Sequence, residues 1–177
     1  TGVSVRLPLD EKGADILLIT PSADFFAEPH VDGLLGYAKV FHQSGVSWTL
    51  SSKASEAANF AMFIGSHDQM GKIAERIRDE ARELGVKRIV VGECGHAWRV
   101  AYNFWDTLVG PFDFLDQSYP IPQHICEFTY DLLQDGVLNL DKSVNDHMTL
   151  TYHDSCNVSR GSRMGNTPGG QFTIPRE

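Results

Sequence analysis

Hydrophobic positions change period repeatedly along the chain, from short continuous runs to the three-and-four spacing of a helix face. Residues 15–20 (DILLIT) form a compact apolar run after Gly13, as expected of a buried strand, and Pro21-Ser22-Ala23-Asp24 breaks it. Val31, Leu34, Leu35, Ala38 and Phe41 then recur at helical spacing, with Gly45 as the stop. Residues 46–50 read as a second strand and 51–58 as a small, polar loop. Ser66 and Gln69 make a capping box, followed by a stripe of Met70, Ile73, Ala74, Ile77, Ala81 and Leu84 that Gly85 closes. Arg76 and Glu80 fall on the opposite, solvated face. Residues 86–91 give a third strand whose apolar continuity suits a sheet covered on both faces.

After the turn Gly92-Glu93-Cys94-Gly95-His96, a further helix is marked by Trp98, Ala101, Tyr102, Trp105 and Leu108. Residues 112–115 are expected to add a short fourth strand, and Pro122 to open a helix through Ile125, Phe128 and Leu132 that ends at Gly136. Residues 148–153 read as a last strand, closed by Asp154-Ser155-Cys156-Asn157. Strands alternate with helices, which predicts an α/β fold: a doubly wound, mainly parallel sheet with helices on both faces. Leu18-Ile19-Thr20-Pro21-Ser22-Ala23 echoes Thr151-Tyr152-His153-Asp154-Ser155-Cys156, with Ala23 standing where Cys156 stands. That echo makes residues 1–139 a first half and 140–177 the start of a second pseudo-repeat.

Composition narrows the class. The 177 residues carry 15 Lys plus Arg against 23 Asp plus Glu, a net charge of −8, which argues against a nucleic-acid face and against docking on anionic lipid. Three cysteines, Cys94, Cys126 and Cys156, cannot close a disulfide framework and read as reduced thiols in a cytoplasmic setting. Apolar runs reach only about five residues, far short of a membrane span. The opening at Thr1, and a stop at Ile174-Pro175-Arg176-Glu177 just after the strand-like residues 171–174, suggest a piece of a longer protein.

The chemistry concentrates in Glu93-Cys94-Gly95-His96 and His153-Asp154-Ser155-Cys156. Each is expected at the carboxyl end of a parallel strand, where such folds bind ligands. Cys94 is also expected at a helix N-terminus, which favours a thiolate. Two unrelated loop cysteines with surface histidines are the plain alternative. Zinc held by Cys94, His96, His153 and Cys156 is another, though Cys-x-His is tight for one metal. A cysteine–histidine hydrolase lacks any sign of an oxyanion hole. Cys126 reads as core, His124 as a surface helix cap, and Trp98, Tyr102 and Trp105 as core. His30, His42, His67 and His147 join no constellation. Arg160, Gly161, Arg163, Gly165, Gly169 and Gly170 read as a loop or an anion-facing wall. Neither phosphate-binding glycine fingerprint is present.

At these residues the chain resembles the cysteine-rich (CCG) domain of the B/D-type heterodisulfide reductase family. The carrying segments are Val90-Val91-Gly92-Glu93-Cys94-Gly95-His96-Ala97, Tyr152-His153-Asp154-Ser155-Cys156-Asn157 and Pro168-Gly169-Gly170-Gln171-Phe172-Thr173-Ile174-Pro175-Arg176, which look most like the DsrK-type branch. The resemblance covers about residues 12–177. It implies an iron–sulfur electron-transfer protein with a noncubane [4Fe–4S] cluster that reduces or forms disulfides. It further implies a DsrC-like sulfur-carrier partner in dissimilatory sulfur metabolism, and membrane quinone-linked subunits that hold the protein at the inner membrane. Cys156, and Cys94 as ligand or neighbouring thiol, would serve the cluster; His96, His124 and His153 would hand protons to departing thiolates, with Glu93 and Asp154 orienting the rings. The first motif departs from the family pattern: Ala23 and Ala97 stand at cysteine positions and residues 51–65 hold none. A scaffold that only binds sister subunits is the alternative without catalysis.

Overall fold

A computed structural model describes residues 4, 6–25, 27–118, 122–162 and 174. Four strands, β1 (Ile16–Ile19), β2 (Trp48–Thr49), β3 (Arg88–Val91) and β4 (Gln123–His124), form one sheet in the order β2-β1-β3-β4, every pair parallel. Among the described residues five α-helices connect and flank them: α1 (Glu28–Ser44), α2 (Asn59–Phe63), α3 (His67–Leu84), α4 (Gly95–Val109) and α5 (Ile125–Gln134). The architecture is the expected α/β one.

Alternation along the strands explains why both faces need cover. Leu17, Ile19, Ile89 and Val91 face one layer, with Ala61 of α2, Met70, Ala74, Ile77 and Ala81 of α3, and Ala97, Trp98, Val100 and Trp105 of α4. Ile16, Leu18 and Val90 face the other, with Leu34, Tyr37, Ala38 and Phe41 of α1 and Ile125 and Phe128 of α5. Strand residues buried on both sides leave no polar positions in β1, hence its uninterrupted apolar run. Ser66 caps α3 as expected, its hydroxyl accepting the Gln69 N–H at 3.3 Å, and Gly85 ends it at φ 67°.

Several expectations fail, each for a local reason. Residues 112–115 form a turn, not a strand: Phe112 and Leu115 are drawn into the core beneath α4 as anchors. The edge position belongs to β4, whose two residues pair with Val90 and Val91. Pro122 therefore precedes a strand, and α5 starts at Ile125. The second strand shrinks from residues 46–50 to Trp48–Thr49. Residues 51–58 do form a loop, but α2 follows it unannounced. Residues 148–153 make no strand; they run exposed, without a sheet neighbour among the described residues to supply the ladder. The strand-like residues 171–173, and Arg163, Gly165, Gly169 and Gly170, lie outside the described residues.

The amino-terminal edge of the sheet is tied by charge. Asp15 accepts from Lys87 Nζ at 2.6 Å and from the Ser47 hydroxyl at 2.7 Å, and these partners, Lys87 first, lower its pKa from 3.8 to about 2. A carboxylate whose pKa falls on folding stabilises above its unfolded value and loses that contribution as pH drops through the folded one. Screening at this partly exposed site reduces the effect to about 1–2 kcal/mol. Asp15→Asn should therefore lower the melting temperature at pH 7. It should also flatten the stability loss between about pH 4 and pH 2, read by calorimetric scans across that range. An unaltered pH profile would show the pairing to be idle.

Candidate functional site

The strand order has one reversal. The chain leaves β1 through α1 to β2 on one side, then returns to place β3 on the other. The loops leaving the carboxyl ends of β1 and β3 consequently diverge and open a crevice at the switch point. Thr20, Pro21 and the helical turn Ser22–Phe25 form one lip; Gly92, Glu93 and Cys94 form the other.

Cys94 is the N-cap of α4, as the sequence suggests, but its thiol is not activated by that place. Half-burial pushes its pKa up, and the backbone N–H groups of His96 and Ala97 at the head of the helix do not offset it. Cys156 opens a single π-helical turn, Cys156–Gly161, and is exposed. This turn sits on the head of α4. A Cβ on Gly95 would lie 3.0 Å from Val158 Cγ2, 3.1 Å from Asn157 Cβ and 3.5 Å from Ser155 Oγ. Arg99 Nη1 donates to Asn157 Oδ1 at 3.3 Å and Asn103 Nδ2 to the Gly161 carbonyl at 3.2 Å. The two sulfur-bearing segments thus meet on one rim, although Cys156 arrives there from irregular chain and not from a strand end.

The histidines divide. His96 is exposed on α4 with its ring 4.9 Å from that of Phe63. His153 is exposed in the irregular segment before Cys156. His124 is 1% exposed, not a surface cap. Its Nδ1 accepts the Cys126 N–H at 3.1 Å, and Glu127 returns the bond to the His124 N–H at 2.9 Å, a reciprocal capping box. Its Nε2 is buried near the Glu93 backbone in no well-formed hydrogen bond. Burial pushes the His124 pKa down to about 4, so the ring is neutral at pH 7 and built to hold α5 in place. Cys126 packs half-buried against the core, with burial raising its thiol pKa, and Trp98 and Trp105 are core residues as expected. The tetrahedral zinc alternative does not close: among the described residues, no three of Cys94, His96, His153 and Cys156 bring ligand atoms within 4.8 Å of one another.

A polar cluster that the sequence pattern does not announce occupies the crevice between the lips. Glu93 does not turn to His96. Its carboxylate accepts the Tyr37 hydroxyl at 2.5 Å, its N–H donates back to that oxygen at 2.9 Å, and its Oε1 lies 3.8 Å from His30 Nδ1. Asp24, 1% exposed, accepts the buried Thr20 hydroxyl and lies 3.3 Å from His30 Nδ1. Burial raises the Asp24 pKa, with the Thr20 hydrogen bond opposing it. Gly92 leaves room here: a Cβ would stand 3.0 Å from the Tyr37 hydroxyl, which would have to give by a few tenths of an ångström.

Comparison with known proteins places this geometry in context. The chain is 34% identical over 198 residues to an Hdr-like menaquinol oxidoreductase iron-sulfur subunit of Archaeoglobus profundus, covering 95% of this chain and 35% of that protein. It is 36% identical over 191 residues to an Hdr-like menaquinol oxidoreductase iron-sulfur subunit 2 of Archaeoglobus fulgidus, covering 91% and 34%. The D-type subunit of the dihydromethanophenazine:CoB–CoM heterodisulfide reductase of Methanosarcina mazei matches at 24% over 130 residues, 70% of this chain and 29% of that one. The chain spans about a third of the length of the curated relatives it matches. No family model matches it, and no solved structure does. The chain is thus related in sequence to iron–sulfur subunits of heterodisulfide-reductase-like oxidoreductases.

Proposed function

We propose that this chain forms one wall of the redox site in an iron–sulfur electron-transfer subunit of a heterodisulfide-reductase-like complex, closest to the DsrK type. In this reading Cys156 and Cys94 serve a noncubane [4Fe–4S] cluster. The substrate is a disulfide or trisulfide on a DsrC-like sulfur-carrier protein in dissimilatory sulfur metabolism. Electrons are exchanged with membrane quinone-linked subunits at the cytoplasmic side of the inner membrane. Among the described residues no helix is long and apolar enough to cross a membrane, which suits a protein attached through its partners. Residues 1–139 are the first CCG half and 140–177 the start of the second.

The observation that carries the reading is the seating of the Cys156 turn on Gly95, next to Cys94, at the rim where the sheet order reverses. The donor set present is incomplete. A four-iron cluster takes about four thiolates, and Ala23 and Ala97 stand where the resemblance expects cysteines. Two thiols do not hold such a cluster, so the remaining ligands are assigned to other cysteines of a longer protein. His96 and His153, both solvent-accessible, are the residues proposed to give protons to departing thiolates. His124, neutral and buried, is left with the positioning of α5.

A second reading, an assembly module with vestigial cysteines, is favoured by the exposed Phe60, Phe63 and Ile64 beside His96. One experiment separates the two. Cys156→Ser in the full-length protein, purified without oxygen, should lose about half or more of its iron and its cluster spectrum, because a serine hydroxyl replaces a thiolate ligand poorly. Iron content and disulfide turnover equal to the parent protein would leave the assembly module standing.

A further inference from the structure

We infer that Asp24, His30 and Glu93 form a binding site for one divalent transition-metal cation at the switch point between β1 and β3. The inference does not depend on an iron–sulfur cluster in the neighbouring thiol rim.

Three features carry it. First, Asp24, His30 and Glu93 each bring one ligand atom within 4.8 Å of the other two, the only such trio of His, Cys, Asp or Glu among the described residues. Second, the carboxylates are fixed by hydroxyls, Thr20 on Asp24 Oδ2 and Tyr37 on Glu93 Oε2, which leaves Oδ1 and Oε1 toward His30. Outer partners of this kind orient metal ligands. Tyr37 is itself fixed by the Glu93 N–H and admitted by Gly92. Third, Asp24 Oδ1, on a side chain only 1% exposed that faces the trio, has no well-formed hydrogen bond, its nearest donor being His30 Nδ1 at 3.3 Å. A buried carboxylate oxygen met only by one loosely placed imidazole is costly unless a cation meets it.

A direct bond from the His30 ring to the two carboxylates is the competing answer, and its spacing is long for one. His30 Nδ1 stands 3.3 Å from Asp24 and 3.8 Å from Glu93, longer than the roughly 2.7–2.9 Å of a charge-assisted hydrogen bond. Ligands bonded at about 2.1 Å around a tetrahedral cation are separated by roughly 3.4 Å, which these spacings bracket. Two carboxylates so close repel each other, and a dication reverses that repulsion. The mixed set of two oxygens and one imidazole points to Mn²⁺, Fe²⁺ or Zn²⁺ over Mg²⁺ or Ca²⁺. Entry is open, because the His30 and Glu93 side chains are about half exposed.

Mn²⁺ is the suitable probe, since oxygen and imidazole donors suit it and thiols do not. Titration of the whole chain, followed by loss of the free-ion electron paramagnetic resonance signal, should show one equivalent bound with Kd below roughly 100 μM. His30→Ala, an exposed change that leaves the fold intact, and Asp24→Asn should each weaken binding at least ~10-fold, and Thr20→Val by about 10-fold through the lost support. Asp68→Asn on α3, and Cys94→Ser with Cys156→Ser, should bind as the parent does. Absence of binding up to about 1 mM, equal affinity in His30→Ala, or dependence on the two cysteines would each overturn the site.

Discussion

Trp105→Ala is expected to cost about 3–5 kcal/mol, the range for removing a fully buried large aromatic. Trp105 is 0% exposed, and its ring stacks on Phe112 at 5.8 Å in the layer shared by α3, α4 and the sheet. Phe112 in turn packs beside Phe114, their ring centroids 6.0 Å apart, and a close-packed layer of this kind relaxes only partly into the space left. Set against a total stability of about 5–15 kcal/mol, the loss is a large share of the whole. The melting temperature should fall by roughly 6–20 °C for a chain of this size. Trp105→Phe should be far milder, about 1.5 kcal/mol or less. The indole N–H has no hydrogen-bond partner among the described residues, so the replacement forfeits volume but no bond. Urea unfolding of both variants, with equal slopes, measures the two costs. A Trp105→Ala unfolding free energy within about 1 kcal/mol of the parent's would mean that this layer does not anchor the fold.

The sequence makes an element legible where its cause is local or where burial on both faces forces one residue type. Continuous apolar runs at residues 15–20 and 86–91 are legible, because a parallel strand covered on both faces must be apolar at every position. The Ser66 cap and Gly85 stop of α3 are legible because both act within one turn of chain. Trp98 and Trp105 could be assigned to the core from helical spacing alone. The edge strand could not. Gln123 and His124 carry no strand signature, and their pairing is imposed by Val90 and Val91. Conversely, residues 148–153 have strand composition and find no neighbour among the described residues, which is the usual failure of propensity where tertiary pairing decides.

The candidate site was half legible. Cys94 could be placed at the rim from the carboxyl-end rule; Cys156 could not, because no strand precedes it among the described residues, and its turn reaches the head of α4 by packing on Gly95. Activation of Cys94 could not be read, since it depends on burial and that is a property of the packed crevice. His30 escaped altogether. It lies 63 residues before Glu93 in the first turn of α1, and no fixed spacing links them. A signal existed: Asp24 and Glu93 each follow the carboxyl end of a strand, and such positions converge in a parallel sheet.

Gly95→Val should detach the Cys156 turn from α4 while leaving the core intact. A single Cβ already lies 3.0 Å from Val158 Cγ2 and 3.1 Å from Asn157 Cβ, and two further methyl groups have no space between them. Overpacking of this kind costs about 1–3 kcal/mol. The strain falls on the weaker partner. The turn is held by the Arg99 and Asn103 hydrogen bonds at 3.3 Å and 3.2 Å, both exposed, and by the buried side of Val158. The head of α4 is held by Ala97, Trp98 and Val100 inside the core. Amide hydrogen exchange in residues 156–162 should therefore accelerate by roughly 5- to 100-fold, with β3 and α3 unchanged. Gly95→Ala, which asks Val158 to yield only a few tenths of an ångström, should give a smaller acceleration in the same residues. In the full-length protein the valine variant should also lose iron, because it parts the two sulfur-bearing segments without altering either cysteine. Unchanged exchange in 156–162 would mean that the turn is not seated on Gly95, and the shared rim proposed for Cys94 and Cys156 would lose its physical basis.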